Sequence, residues 1–144
     1  MSRMKFSVAA VVLLLATTIA LAAAHFISCS KNQQGNNLVV SFKEAGLGNE
    51  LTCITVSAQA TAVYACYNNG GNHPKAANKE TVNSEVTATD CFTPRNGQIT
   101  GSLTLTPPGP GNFSCPSGQT LRLDSVTYST VKVNDTTHDL SCSP

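Results

Sequence analysis

The sequence predicts an all-β protein, a single antiparallel β-sandwich of six to seven strands stapled by disulfides. Three observations carry that expectation. Apolar residues alternate with Thr, Ser and Gln at a period of two over several stretches. Clusters of Gly, Pro and Asn separate those stretches, and no segment after the leader keeps a helical period. Six cysteines are spread through the chain behind an apolar N-terminal run.

That run comes first. Arg3 and Lys5 precede an apolar stretch from Phe6 to Ala24, interrupted by Ser7, Thr17 and Thr18. Its small-residue end satisfies the signal-peptidase pattern twice, at Ala20-Leu21-Ala22 and at Ala22-Ala23-Ala24. A membrane-spanning helix competes, because the run approaches the ~20 residues that cross a bilayer. The alanine-rich end, the weak charge after Ala24 and the downstream position of every cysteine favour a cleaved signal peptide. Residues 1–24 are therefore expected to be removed, with cleavage after Ala22 or Ala24, leaving a secreted, extracellular domain over residues 25–144. No second apolar run follows, so neither a membrane span nor a lipid anchor is expected.

About 120 residues then remain, enough for one domain with a modest core. Beyond the leader, seven basic residues stand against eight acidic ones. A surface so close to neutral has no basic stripe for nucleic acid or anionic membrane, and a monomer is expected.

Cys29, Cys53, Cys66, Cys91, Cys115 and Cys142 form an even set with long gaps and no CxxC. In a secreted chain this implies three disulfides rather than a zinc or redox site, and the sequence leaves their pairing open.

The strands follow in order. Leu38-Val39-Val40-Ser41-Phe42 is a short strand closed by Gly46 and Gly48. From Leu51 to Tyr67, Ile54, Val56, Ala58, Ala60, Ala62 and Tyr64 alternate with polar residues, which marks one or two strands. Thr81 to Phe92 alternates again around Val82 and Val86. Ile99, Leu103 and Leu105 form the next strand, introduced by the turn dipeptide Asn96-Gly97. Pro107-Pro108-Gly109-Pro110-Gly111 breaks regular structure. Leu121, Leu123, Val126, Tyr128, Val131 and Val133 supply one or two last strands, and the phase change between Leu123 and Val126 predicts a bulge. Tryptophan is absent and aromatics are few, so the disulfides are expected to compensate for a thin core. Asn112-Phe113-Ser114 and Asn134-Asp135-Thr136 are N-glycosylation sequons, each expected in or beside a turn.

Chemistry is sparsely signalled. Cleavage after Ala24 would make His25 N-terminal, and its amine and imidazole could chelate copper with His73 or His138. Against this stand the alternative cleavage site and the lack of tryptophans for a sugar surface. Asp135, His138 and Asp139 contain the acid and base of a Ser/His/Asp triad, but no GxSxG elbow fixes a nucleophile. Histidine beside aspartate in a polar tail reads more simply as a solvated surface. A ribonuclease could cast His73, Glu80 or Glu85, and Arg95, without evidence that they converge. No pair of acids sits on an obviously buried strand, which leaves glycosidase chemistry without candidates.

"GGNHPKAANKE", Gly70 to Glu80, reads as a long surface connection. His73, Lys75, Asn78 and Lys79 could offer donors to a partner there, although an exposed solvated loop explains the same composition.

Leader, length, six spread cysteines and the stretches "SFKEAGLGNELTC" and "CYNNGGNHPKAANKE" together resemble the small cysteine-rich avirulence effectors of the AvrLm type, from the blackleg fungus of crucifers. The resemblance implies a non-enzymatic secreted protein that promotes infection of a host plant, reaches host cells or the space around them, and is recognised by a matching host resistance protein. It implies no catalytic residue, metal or cofactor. The alternative is a small secreted enzyme or copper/carbohydrate-binding protein using His25, His73 and His138.

Overall fold

The computed structural model describes residues 22–68, 70 and 78–144. Among these residues seven strands succeed one another: β1 (His25–Gln34), β2 (Asn37–Ala45), β3 (Thr52–Tyr67), β4 (Lys79–Phe92), β5 (Gln98–Leu105), β6 (Thr120–Asp135) and β7 (Leu140–Cys142). All pairings are antiparallel, in a three-stranded sheet β1-β2-β5 and a four-stranded sheet β4-β3-β6-β7. No helix among the described residues is long and apolar enough to cross a membrane. Most of the apolar N-terminal run lies outside the described residues; Ala22, Ala23 and Ala24 lie inside them.

The period-two pattern decides what each strand buries. On β2, Leu38, Val40 and Phe42 point inward; on β3, Ile54, Val56 and Ala58 do. They join Leu47, Ile99 and Leu105 with Val131 and Val133 in one buried cluster, so both sheets contribute to the same core. Burying each Val, Leu, Ile or Phe side chain among them is worth about 1.5–3 kcal/mol, which makes this cluster the main source of stability.

Each long alternating stretch resolves as one strand. β6 stays paired along β3 across two register shifts. One lies where Val63 faces Ser125 and Tyr64 faces Leu123, at the phase change the sequence shows. The other lies between Ser57 and Gln59, opposite Thr130, which takes a left-handed φ of 51°. Strand β1 has no counterpart in the sequence reading. It is an edge strand whose second half is Ser, Lys, Asn and Gln; only Phe26 and Cys29 touch the core, three residues apart, so its burial does not alternate and carries no period of two. Its pairing with β2 supplies what its side chains do not.

Polar contacts tie the sheets together. Tyr128 donates its hydroxyl to Asn36 O at 2.8 Å, Gln33 Nε2 donates to Val126 O at 3.2 Å, and Tyr64 donates to Pro108 O at 2.7 Å. On the outer face of the four-stranded sheet, Thr55 bonds Thr89 at 2.8 Å and Thr61 donates to Asn83 at 2.7 Å, cross-strand pairs that hold edge strand β4 in register.

The disulfides are Cys29–Cys142, Cys53–Cys91 and Cys66–Cys115. Cys53 and Cys91 are register partners on β3 and β4, with Cα atoms 4.0 Å apart. Cys29–Cys142 joins β1 to β7, one edge of each sheet. Cys66–Cys115 anchors the Pro-rich connection to the end of β3.

Two outcomes follow from this packing. Cys29–Cys142 closes 113 residues of sequence, against 38 and 49 for the others. Its double alanine replacement should cost ~4–5 kcal/mol in the loop-closure limit, roughly 1 kcal/mol more than removing Cys53–Cys91. Urea unfolding of the two double variants measures the order, and the reverse order would contradict the assignment. Gly101 faces Phe42 in the register, and a Cβ there would lie 2.8 Å from Phe92 Cε1 and 3.0 Å from Phe42 Cζ. Those rings pack edge to face with centroids 5.3 Å apart. Gly101→Ala should therefore destabilise by about 1–3 kcal/mol through overpacking, read from the shift of the denaturation midpoint.

Candidate functional site

The period that buries Leu38, Val40 and Phe42 continues one step further along β2 and delivers Glu44 to the interior, 0% exposed. Glu44 meets Asp135, 1% exposed at the end of β6, and His138 in the turn before β7. One ligand-capable atom from each of the three lies within 4.8 Å of the others.

The β6–β7 turn explains how Asp135 is held. Its Oδ1 accepts from Thr137 N at 2.8 Å and His138 N at 3.1 Å, and its Oδ2 lies 2.6 Å from His138 Nδ1. The turn is pinned to β3 through Cys53, whose N–H donates to Thr137 Oγ1 at 2.9 Å and whose carbonyl accepts from Thr136 N at 3.0 Å. Asp139 closes it with a left-handed φ of 56° and an exposed position. His138 Nε2 then lies 3.7 Å from Glu50 Oε2, whose side chain is 68% exposed.

The two buried carboxyls have opposite electrostatics. Burial, then the neighbouring Asp135 carboxylate, raises the Glu44 carboxyl to about 7, against the lowering influence of His138. Burial would also raise Asp135, but hydrogen bonds from Thr137 and His138 outweigh it and hold Asp135 below its ordinary value. Glu44 thus keeps its proton in mildly acidic solution while Asp135 remains ionised.

Asp135 and His138 are part of an interior cluster and not a solvated tail. Their contact matches the acid–base half of a triad, but the group facing Nε2 is the Glu50 carboxylate where a nucleophilic hydroxyl would have to stand. The strand expected from sequence ends at Phe42, and the same alternation carried two residues further places Glu44 inside.

The other candidates are scattered. His25 is exposed at the start of β1 and pairs with Ala45, with Nδ1 2.9 Å from the Ala23 carbonyl. Glu80 and Glu85 lie exposed on edge strand β4, while Arg95 sits beyond its far end in a shallow depression with Lys43. Twelve strand residues at ~3.4 Å each put Glu80 about 40 Å from that end, too far to share a phosphate with Arg95. His73 and Lys75 lie outside the described residues.

Lys79 opens β4 and bonds Asp124 Oδ2 at 3.3 Å, while Tyr67, the last residue of β3, donates to Asp124 Oδ1 at 2.6 Å. Arg122 lies over the Tyr67 ring, 5.3 Å from its centroid. Both stems of the 68–78 connection are therefore clamped to one carboxylate on β6, with Asn78 half-buried beside them. Of the sequons, Asn112 is exposed in a turn, whereas Asn134 is half-buried within β6, paired with Thr55 and Ser141.

The electrostatics predict a stability profile. Glu44 binds a proton more tightly folded than unfolded, so its contribution is complete below its ordinary value of 4.5 and is lost as pH rises towards about 7. Asp135 works in reverse, contributing above its ordinary value of 3.8 and losing that contribution as pH falls. Urea unfolding should show greatest stability near pH 4, between the two ordinary values, and a loss on the order of 3 kcal/mol by pH 8. Glu44→Gln, which keeps a neutral donor beside Asp135, should flatten the slope between them; an unchanged slope would assign it elsewhere.

No protein-family model matches the chain, and neither does any curated protein or solved structure.

Proposed function

We propose that this protein is a secreted fungal effector, a non-enzymatic interaction protein that promotes infection of a host plant and is recognised by a matching host resistance protein. The reading rests on layout and chemistry, not on a sequence match. The observation that carries it is the combination of three disulfides with a connection whose two stems are fixed by Asp124. Such a frame presents one segment, containing His73, Lys75, Asn78 and Lys79, from a scaffold suited to proteases outside the cell. In this reading the two sheets face one another as a sandwich, which the core shared by β2, β3, β5 and β6 supports. Greater stability in acidic than in neutral solution suits the plant apoplast, whether the protein acts there or passes through it. Asn112, exposed in its turn, is the preferred glycan acceptor.

Cleavage after Ala22 fits this mature form better than cleavage after Ala24. Ala24 packs against the core, and the Ala23 carbonyl receives the His25 ring. A side chain at Gly46, where φ is +80°, would collide with the Ala22–Ala23 backbone. Cutting after Ala24 would remove the Ala23 and Ala24 contacts.

Two measurements test these readings. N-terminal sequencing of the secreted protein should begin at Ala23; a start at His25 would overturn that choice and restore the copper-chelating alternative. The mature protein should capture a specific partner from host-plant extract and elicit a response only in plants carrying the matching resistance gene. Replacing residues 70–78 by a short Asn-Gly turn should abolish both while shifting the melting temperature little. Retention of both activities in that variant would place the contact elsewhere, and no specific partner for the parent would sink the proposal.

A further inference from the structure

We propose that Glu44, Asp135 and His138 form a binding site for one divalent transition-metal ion, held between the two sheets.

Geometry comes first. Their ligand-capable atoms lie within 4.8 Å of one another. Ligands at ~2.1 Å from a common ion stand about 3–4 Å apart, so small shifts would bring these three into coordination, with the 2.6 Å contact between Asp135 Oδ2 and His138 Nδ1 opening as the ion enters.

The second observation is independent of proximity. Glu44 is 0% exposed, and among the described residues neither of its carboxylate oxygens receives a hydrogen bond. Buried carboxylates are ordinarily paired, hydrogen-bonded or metal-bound, because an unsatisfied one carries a desolvation cost. The ion pairs among the described residues bring no lysine or arginine to Glu44 or Asp135. A doubly charged ion would satisfy Glu44 and balance the two carboxylates together.

The surroundings are organised for such an ion. Thr137 N and His138 N fix one oxygen of Asp135, and Cys53 fixes the turn that carries both ligands. This is the outer hydrogen bonding that orients metal ligands elsewhere. Access is from the His138 side, where its side chain is 21% exposed and Glu50 supplies a further carboxylate. One imidazole with two carboxylates favours Zn2+, Co2+ or Mn2+ over Ca2+, which takes oxygen alone, and over Cu(I), which favours sulfur. The site excludes His25 and is distinct from the copper arrangement considered from sequence.

The test is a titration of the intact secreted protein, freed of metal by chelator and desalted, with Co2+, Zn2+ and Mn2+ at pH 7.5. Expected are one Co2+ per chain with visible absorption bands, competition by Zn2+, and a melting temperature raised by several degrees at saturating Zn2+. Glu44→Gln should weaken Co2+ binding at least tenfold, and His25→Ala should leave it unchanged. If Glu44→Gln fails to give the parent circular dichroism spectrum, His138→Gln replaces it with the same expectation. Absence of stoichiometric uptake with all three ions would overturn the proposal and leave a proton as the only charge between the carboxyls. Uptake that survives loss of Glu44 or His138, or disappears with His25, would also overturn it.

Discussion

The architecture depends on the pairing of one strand on both of its edges. β3 bonds β4 along one side and β6 along the other, while its inward residues Ile54, Val56 and Ala58 enter the core. A one-residue slip would turn that apolar set to solvent and bring Thr55, Ser57 and Gln59 inside. Register is therefore fixed by burial, and the Cys53–Cys91 bridge records it covalently. The three-stranded sheet depends on the same strand, because Leu38, Val40 and Phe42 have their apolar neighbours in this cluster.

Against that apolar interior, the Glu44–Asp135–His138 cluster is a deliberate polar exception. A Leu at position 44 would continue the β2 pattern, yet the residue is an acid beside another acid. Breaking one member of a buried polar group leaves its partners unsatisfied, so the three act as a unit rather than as separable contacts. The cluster also couples the end of β2 to the β6–β7 turn, linking the sheets at a place where apolar packing stops.

Much of the fold was legible because burial writes itself into strands as alternation. Residues 38–42, 51–67, 81–92, 99–105 and 121–133 all carry that mark, and each lies wholly or almost wholly within an observed strand. β1 was not legible, since an exposed edge strand is specified by its neighbour's backbone rather than by its own side chains. The disulfide pairing was equally hidden, because it follows from which strand ends meet and not from spacing. At the site, Asp135 and His138 were visible as residue types. Their burial depends on a turn folded back onto Cys53 from 84 residues earlier, which no local window contains.

The connection between Tyr67 and Lys79 divides the cysteines into Cys29, Cys53 and Cys66 before it and Cys91, Cys115 and Cys142 after it. Every bridge runs from the first set to the second. A peptide bond cut within that connection would yield two polypeptides of comparable size, joined three times over and still paired along β3 and β4. Its two newly freed ends would leave from neighbouring stems. The same molecule could thus exist in an intact and a nicked form of nearly equal mass, separable only after reduction.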